Sequence, residues 1–171
     1  MQYNNFIIDK ITNSIEDSKT GKSYETSVVP ITKEDIKRIY KKDGWQFNWK
    51  TEYKEEGHQL FKLIVEGDSE IQGLISLQEI DTERYIEMHL IESAPHNYGR
   101  NKRFLGVPAN LVAFACKMSF DLGYDGFAAF NAKTKLVEHY TKTLGAQLVM
   151  GNSRMVIFPM QARFLVNSYF K

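Results

Sequence analysis

Apolar residues along the chain recur with a period near two in some stretches and near 3.6 in others, and each change of period marks a new element. Phe6 to Ile15 and Tyr24 to Ile31 read as strands around the turn signal Ser18-Lys19-Thr20-Gly21-Lys22, an N-terminal hairpin. Thr32 is placed to cap a short helix with Glu34 and Asp35 in its first turn and Ile36, Ile39 and Tyr40 on one face. It runs to about Lys42 and stops at Asp43-Gly44. The aromatic stretch Trp45-Gln46-Phe47-Asn48-Trp49-Lys50 follows neither period, and its conformation is left open.

Three strands come next, Leu60 to Val65, Ile71 to Leu77 and Tyr85 to Ile91, with Gly67-Asp68 and Asp81-Thr82 between them. Turns that short imply an antiparallel meander. A polar loop from Pro95 to about Arg103 leads into a helix with apolar positions Leu111, Phe114, Ala115, Met118 and Leu122, stopped by Gly123. Phe127 to Asn131 reads as a buried strand and Lys133 to Leu144 as a helix ended by Gly145. Gln147 to Met150 and Met155 to Phe158 form a hairpin, and Gln161 to Phe170 a terminal helix. The fold class expected is α/β: a mixed, mostly antiparallel sheet flanked by helices.

Composition narrows the classes. A chain of 171 residues, 43% apolar and 25% charged, is long enough for one domain with a substantial core, and with no repeat or linker residues 1–171 read as a single domain. A formal charge of +1 leaves no broad field for a polyphosphate, which argues against a nucleic-acid partner. Cys116, the only cysteine, can form no internal disulfide, and no Cys/His spacing fits a metal. The first residues lack the marks of a secretory signal and no apolar run approaches membrane-spanning length, so a cytoplasmic protein without membrane or metal is expected. A homodimer is left open.

Chemistry concentrates after the meander. Gly106-Val107-Pro108 opens a helix whose first backbone N–H groups can hold a phosphate, and Gly106 lets the chain approach an anion closely. Pro108 suits a first helical position but removes one donor. Lys102 and Arg103, with Arg100 nearby, add positive charge. Taken alone, the turn reads first as a helix start set by geometry.

The order of elements resembles the GNAT superfamily of N-acetyltransferases. Arg103-Phe104-Leu105-Gly106-Val107-Pro108 stands where that family has its pyrophosphate-binding turn, and Leu136 to Ala146, with Tyr140 and Gly145, is similar to its later motif. The stretch from Met88-His89-Leu90-Ile91-Glu92-Ser93-Ala94-Pro95 through Asn110 to Lys117 and on to His139-Tyr140 resembles a group of small bacterial GNAT-like proteins. Pro108 and Ala146 depart from the family pattern. The resemblance implies acetyl-CoA as co-substrate, an amine as acceptor, and coenzyme contacts from Leu90, Ile91, Arg103, Phe104, Leu105, Gly106, Val107, Ala109, Asn110 and Lys133. The backbone of Leu90 and Ile91 would hold the pantetheine arm on a splayed strand.

For transfer, the thioester carries the acyl group, so no protein nucleophile is needed and Cys116 reads as core. The resemblance puts Tyr140 near the coenzyme sulfur as proton donor; a packed helix tyrosine is the other reading. Glu92 and His89 are the candidate bases. Glu87, His89 and Ile91 share one face of the predicted fourth strand and Met88, Leu90 and Glu92 the other. A solvated Glu92 and a structural His89 remain open readings, as does His139. Trp45, Phe47, Trp49 and Tyr53 either wall the acceptor pocket or form a satellite hydrophobic cluster. A coenzyme-binding or protein-interaction module of the same fold without turnover is the alternative function.

Overall fold

A computed structural model describes residues 2–12 and 14–170. A seven-stranded sheet runs in the order β3 (Thr26–Pro30), β4 (Gln59–Val65), β5 (Gly73–Ile80), β6 (Tyr85–Ser93), β8 (Ala128–Asn131), β10 (Arg154–Ile157) and β9 (Gln147–Met150). Every neighbouring pair is antiparallel except β6 and β8. A small second sheet orders β2 (Ser23–Tyr24), β1 (Ile15–Asp17) and β7 (Phe104–Leu105). The mixed, mostly antiparallel class is the one expected, and no described helix is long and apolar enough to cross a membrane.

The sheet divides the core in two. On one face α3 (Val107–Asp121), α4 (Val137–Leu144) and α5 (Pro159–Tyr169) cover Leu63, Ile75, Leu77, Ile86, Met88 and Ile91. On the other, Ile31, Ile36, Ile39, Trp45 and Trp49 pack on Leu60, Leu74 and Leu90. These come from α1 (Lys33–Lys37), α2 (Trp49–Lys54) and the chain beside them. The tryptophans therefore join a hydrophobic cluster, and it is the polar side of α2 that meets the open surface.

Helix starts follow capping chemistry. Thr32 accepts from Asp35 N while the Asp35 carboxylate accepts from Thr32 N, a reciprocal cap. The first helix is shorter than its apolar face predicts; residues 41–43 form a separate 3-10 turn closed by Gly44 at φ 109°. Asn48 accepts from Thr51 N and starts α2 inside the stretch whose pattern was ambiguous. Residues 134–136 are likewise a 3-10 turn before α4.

Two expectations are corrected. The leading hairpin shrinks to Ile15–Tyr24 and Glu16–Ser23 pairs, and Thr26–Pro30 leaves it to pair with β4. Residues 6–12 belong to no strand, and Asn13 lies outside the described residues. The faces of β6 also differ: Ser76 pairs with Leu90 and Leu77 with Met88, so His89 is an extra, bulged residue. The bulge resets the alternation. Ile86, Met88 and Ile91 face the α3 side, while Leu90 and Glu92 join Glu87 and His89 on the α2 side.

Candidate active site at the fork of the sheet

β6 and β8 pair only at Ile86–Ala128 and Glu87–Ala129. Beyond that β6 follows β5 to Ser93 and β8 follows β10 to Asn131, so the two diverge. This is the splayed pair on which coenzyme contacts were expected. The chain's own leading segment fills it. Asn4, fully buried, bridges to Ala132 in parallel, donating from its N–H to Asn131 O at 2.8 Å and accepting from Lys133 N at 3.0 Å. Its side chain reaches the other arm: Oδ1 accepts from Ile91 N at 3.1 Å, and Nδ2 donates toward Met88 O and His89 O at 3.4 and 3.3 Å.

The next residues continue toward α3. Phe6 and Ile8 are buried in the main core. Tyr140 donates from its hydroxyl to Phe6 O at 2.6 Å, and Ile8 N donates to His139 Nε2 at 2.9 Å. The Asp9 carboxylate accepts from Gly106 N at 3.0 Å and from Lys102 Nζ at 3.0 Å. Gly106 sits at φ 94°, and a Cβ there would lie 2.9 Å from Thr12 Cγ2 and 3.0 Å from Ser14 O. Glycine is thus required both by the turn and by the segment crossing it. An anion at this helix start is what first-turn N–H groups without an intrahelical partner and the dipole favour.

The other expected coenzyme residues are placed as follows. Leu90 and Ile91 flank the fork. Arg103 pairs with Glu70 at 3.0 Å and lies over the Phe104 ring, so its charge is engaged on the β4–β5 connection. Phe104 and Leu105 form β7 and pair with β1. Val107, Ala109 and Asn110 are buried in the first turn of α3, and the Asn110 amide donates to Thr26 Oγ1 at 2.9 Å, toward β3. Lys133 is exposed and contributes its backbone N–H to Asn4.

Tyr140 has no exposed surface and packs on Phe6 and Phe130 with ring centroids 4.7 and 5.3 Å away. Burial raises its pKa, so it is a protonated donor at neutral pH. Burial pushes the Cys116 thiol up to about 12, which fits its reading as core. Glu92 is a hub rather than a solvated strand end. Its carboxylate accepts from Gln46 N (2.6 Å), Phe47 N (3.2 Å), Trp49 Nε1 (2.7 Å) and the Tyr98 hydroxyl (2.9 Å). Four donors fill its acceptor positions, and the segment 45–49 is held to β6 by them.

His89 and Glu87 open instead into a cavity of about 790 Å³ lined also by Glu52, Glu55, His58, Gln78, Leu90 and Arg154. The bulge directs His89 there. Its Nε2 lies 2.8 Å from Gln78 Oε1, so the ring donates to the amide oxygen and keeps Nδ1 as the unprotonated nitrogen. Its ring stacks on His58, with centroids 3.9 Å apart, and His58 Nδ1 lies 3.2 Å from Glu52 Oε1. Burial first, then the His58 neighbour, lower the His89 pKa below its ordinary 6.5. At neutral pH His89 is an uncharged acceptor.

Arg154 clamps Glu87 with both guanidinium nitrogens, Nη1 at 2.7 Å from Oε2, and reaches Asn131 Oδ1 at 3.2 Å and the Tyr85 hydroxyl at 3.3 Å. With Glu87 neutralised, Glu52 and Glu55 leave the cavity negative. Sequence reasoning missed Glu52, Glu55, His58, Gln78 and Arg154. The first two are three apart along α2 and its C-terminal cap, a shared face that becomes readable once Asn48 is taken as the N-terminal cap. His58 and Arg154 arrive by tertiary folding, and no local spacing announces them.

No protein-family model matches the chain, and no curated protein matches it. Solved structures do. A mutant form of the AtaT toxin, bound to the C-terminus of the antitoxin AtaR, aligns with a TM-score of 0.57 at 14% identity, over 82% of this chain and 96% of that one. A spermidine N-acetyltransferase from Vibrio cholerae, solved with CoA and spermine, aligns with 0.54 at 14%, over 81% and 98%. A Bacillus subtilis acetyltransferase in complex with CoA aligns with 0.52 at 15%, over 80% and 99%. At such identities the fold is what is shared, and it is the GNAT fold.

Proposed function

We propose that the chain is an acetyl-CoA-dependent N-acetyltransferase whose acceptor is a cationic amine. The observation that carries this reading is the negative cavity with a neutral imidazole, opening where β6 and β8 part. Acetyl-CoA supplies the acetyl group as a thioester. The residues of the chain divide the remaining tasks. Backbone groups of Leu90 and Ile91 receive the extended arm, and the N-terminal turn of α3 at Gly106, beside Lys102, receives the diphosphate. The Asp9 carboxylate seated on that turn supports the assignment, since it is itself an anion.

Glu52 and Glu55 draw an ammonium group into the cavity, and His89 Nδ1 takes the proton the amine gives up. His58, stacked on His89 and bonded to Glu52, holds the base's ring in place. Tyr140 is the donor for the departing thiolate. Glu92 acts at one remove, by fixing the wall that carries α2. The Vibrio cholerae enzyme was solved with spermine, a polyamine, and amines of that class suit two neighbouring carboxylates.

The test is release of free thiol from acetyl-CoA across a panel of neutral, monocationic and polycationic amines. Turnover with cationic amines is expected, and His89→Asn should lower kcat about 100-fold while leaving the KM for acetyl-CoA little changed. Saturating coenzyme with no thiol release for any amine would overturn transfer. A silent coenzyme-binding module is the second reading, favoured by the bond that holds the Tyr140 hydroxyl on Phe6 O. Saturable binding without turnover selects it.

A further inference from the structure

We infer that residues 4–9 are an internal competitor of the coenzyme, an autoinhibitory strap that must leave the fork before coenzyme can enter. The inference rests on the proposed coenzyme site and concerns what occupies it. Three groups assigned there to the coenzyme are already used by the strap. Ile91 N donates to Asn4 Oδ1 at 3.1 Å, Gly106 N donates to Asp9 Oδ1 at 3.0 Å, and the Tyr140 hydroxyl donates to Phe6 O at 2.6 Å. Each group has one hydrogen to give, so strap and coenzyme exclude each other at these atoms.

The likeness is chemical as well as positional. The strap is a strand-free stretch of chain that presents an amide at the fork and a carboxylate at the helix start. The coenzyme's pantetheine arm is an extended chain with amides, ending in a diphosphate. The five Cα–Cα steps from Asn4 to Asp9 span at most about 17 Å when extended, and they follow the line from the fork to α3. A narrow cleft of about 250 Å³ runs along the strap, lined by Phe6, Asp9, Ser93, Asn97, Lys102 and Pro108.

The strap is built for exchange. Among the described residues its one ladder contact is the Asn4–Ala132 bridge, and Ile7 is 48% exposed. Phe6 and Ile8 hold it down by burial in the main core. Coenzyme affinity is therefore scaled down to the fraction of molecules in which the strap is unseated. In the seated state Tyr140 is bonded to Phe6 O and withheld from chemistry.

The experiment is calorimetric titration of CoA into the full chain and into its Asn4→Ala, Asp9→Ala double variant, with hydrogen exchange of the full chain with and without CoA. The double variant should bind CoA about tenfold tighter or more. In the unsubstituted chain, CoA should speed exchange at the Asn4 and Ile8 amides while the Ile91 and Gly106 amides stay protected. Binding by the double variant alone also supports the strap. Equal affinities, or CoA binding that leaves exchange at Asn4 and Ile8 unchanged, overturn the strap and leave the coenzyme site standing. Absence of binding by both proteins overturns the coenzyme site and the strap with it. The exchange measurement on the unsubstituted chain decides the matter if the double variant does not fold.

Discussion

Glu92 shows how one buried carboxylate can organise a wall. Two backbone N–H groups, an indole N–H and a phenol converge on it, and all four lose their partner if it is removed. Unsatisfied buried donors cost more than the net contribution of the bonds they made, so Glu92→Ala should destabilise by about 3 kcal/mol. Urea denaturation measures this, and emission from Trp45 and Trp49 should shift to the red as their segment loosens. A loss below about 1 kcal/mol would mean that the hub is dispensable. The sequence made Glu92 visible as a carboxylate near a strand end but not its partners, three of which lie 43 to 46 residues earlier. His89 was visible as a titratable group, yet its direction depends on a bulge that no residue type at positions 86–92 signals.

At the level of elements, patterns that depend on neighbours in sequence were legible. The meander, the long helix after Gly106, the helix ended by Gly145 and the last hairpin lie within a few residues of where period and turn chemistry put them. The leading segment was not legible, because its alternating Phe6 and Ile8 look like a strand while its partners are Met88, Ile91, Gly106 and Asn131, more than 80 residues away. Close contact between elements yields a sharper prediction at Gly73. A Cβ there would stand 2.6 Å from Val107 Cγ1 and 3.1 Å from Leu111 Cδ1, at the point where β5 meets α3. Gly73→Ala should therefore push α3 away from the sheet and cost about 1–3 kcal/mol by overpacking. The helix start at Gly106 moves with it, so the variant should also weaken CoA binding; thermal unfolding and titration check the two effects separately, and an unchanged melting temperature would show that α3 yields freely.

For the molecule as a whole, the histidines tie stability and the strap to pH. His89, His96 and His139 all have pKa values lowered from 6.5, with burial the largest cause in each. The folded chain thus takes up these protons at lower pH than the unfolded chain, which gains them as pH falls through 6.5. Stability is fully present above that value and declines below it, by at most about 1.4 kcal/mol per pH unit for each group. Asp17 and Asp35 have lowered carboxyl pKa values, and their contributions, present at higher pH, are lost only nearer the ordinary 3.8 and below. The interval from about pH 7 to 5.5 consequently belongs to the histidines. His139 adds a local effect, since its Nε2 accepts the Ile8 N–H at 2.9 Å and a protonated ring can no longer accept. Acidification should loosen residues 4–9 before the core unfolds. Hydrogen exchange at Ile8 should accelerate across that interval beyond the intrinsic pH dependence of amide exchange, and His139→Gln, whose side-chain oxygen can still accept, should remove most of that excess. Equal excess in both proteins would assign the loosening to another group, and none in either would separate the strap from histidine titration.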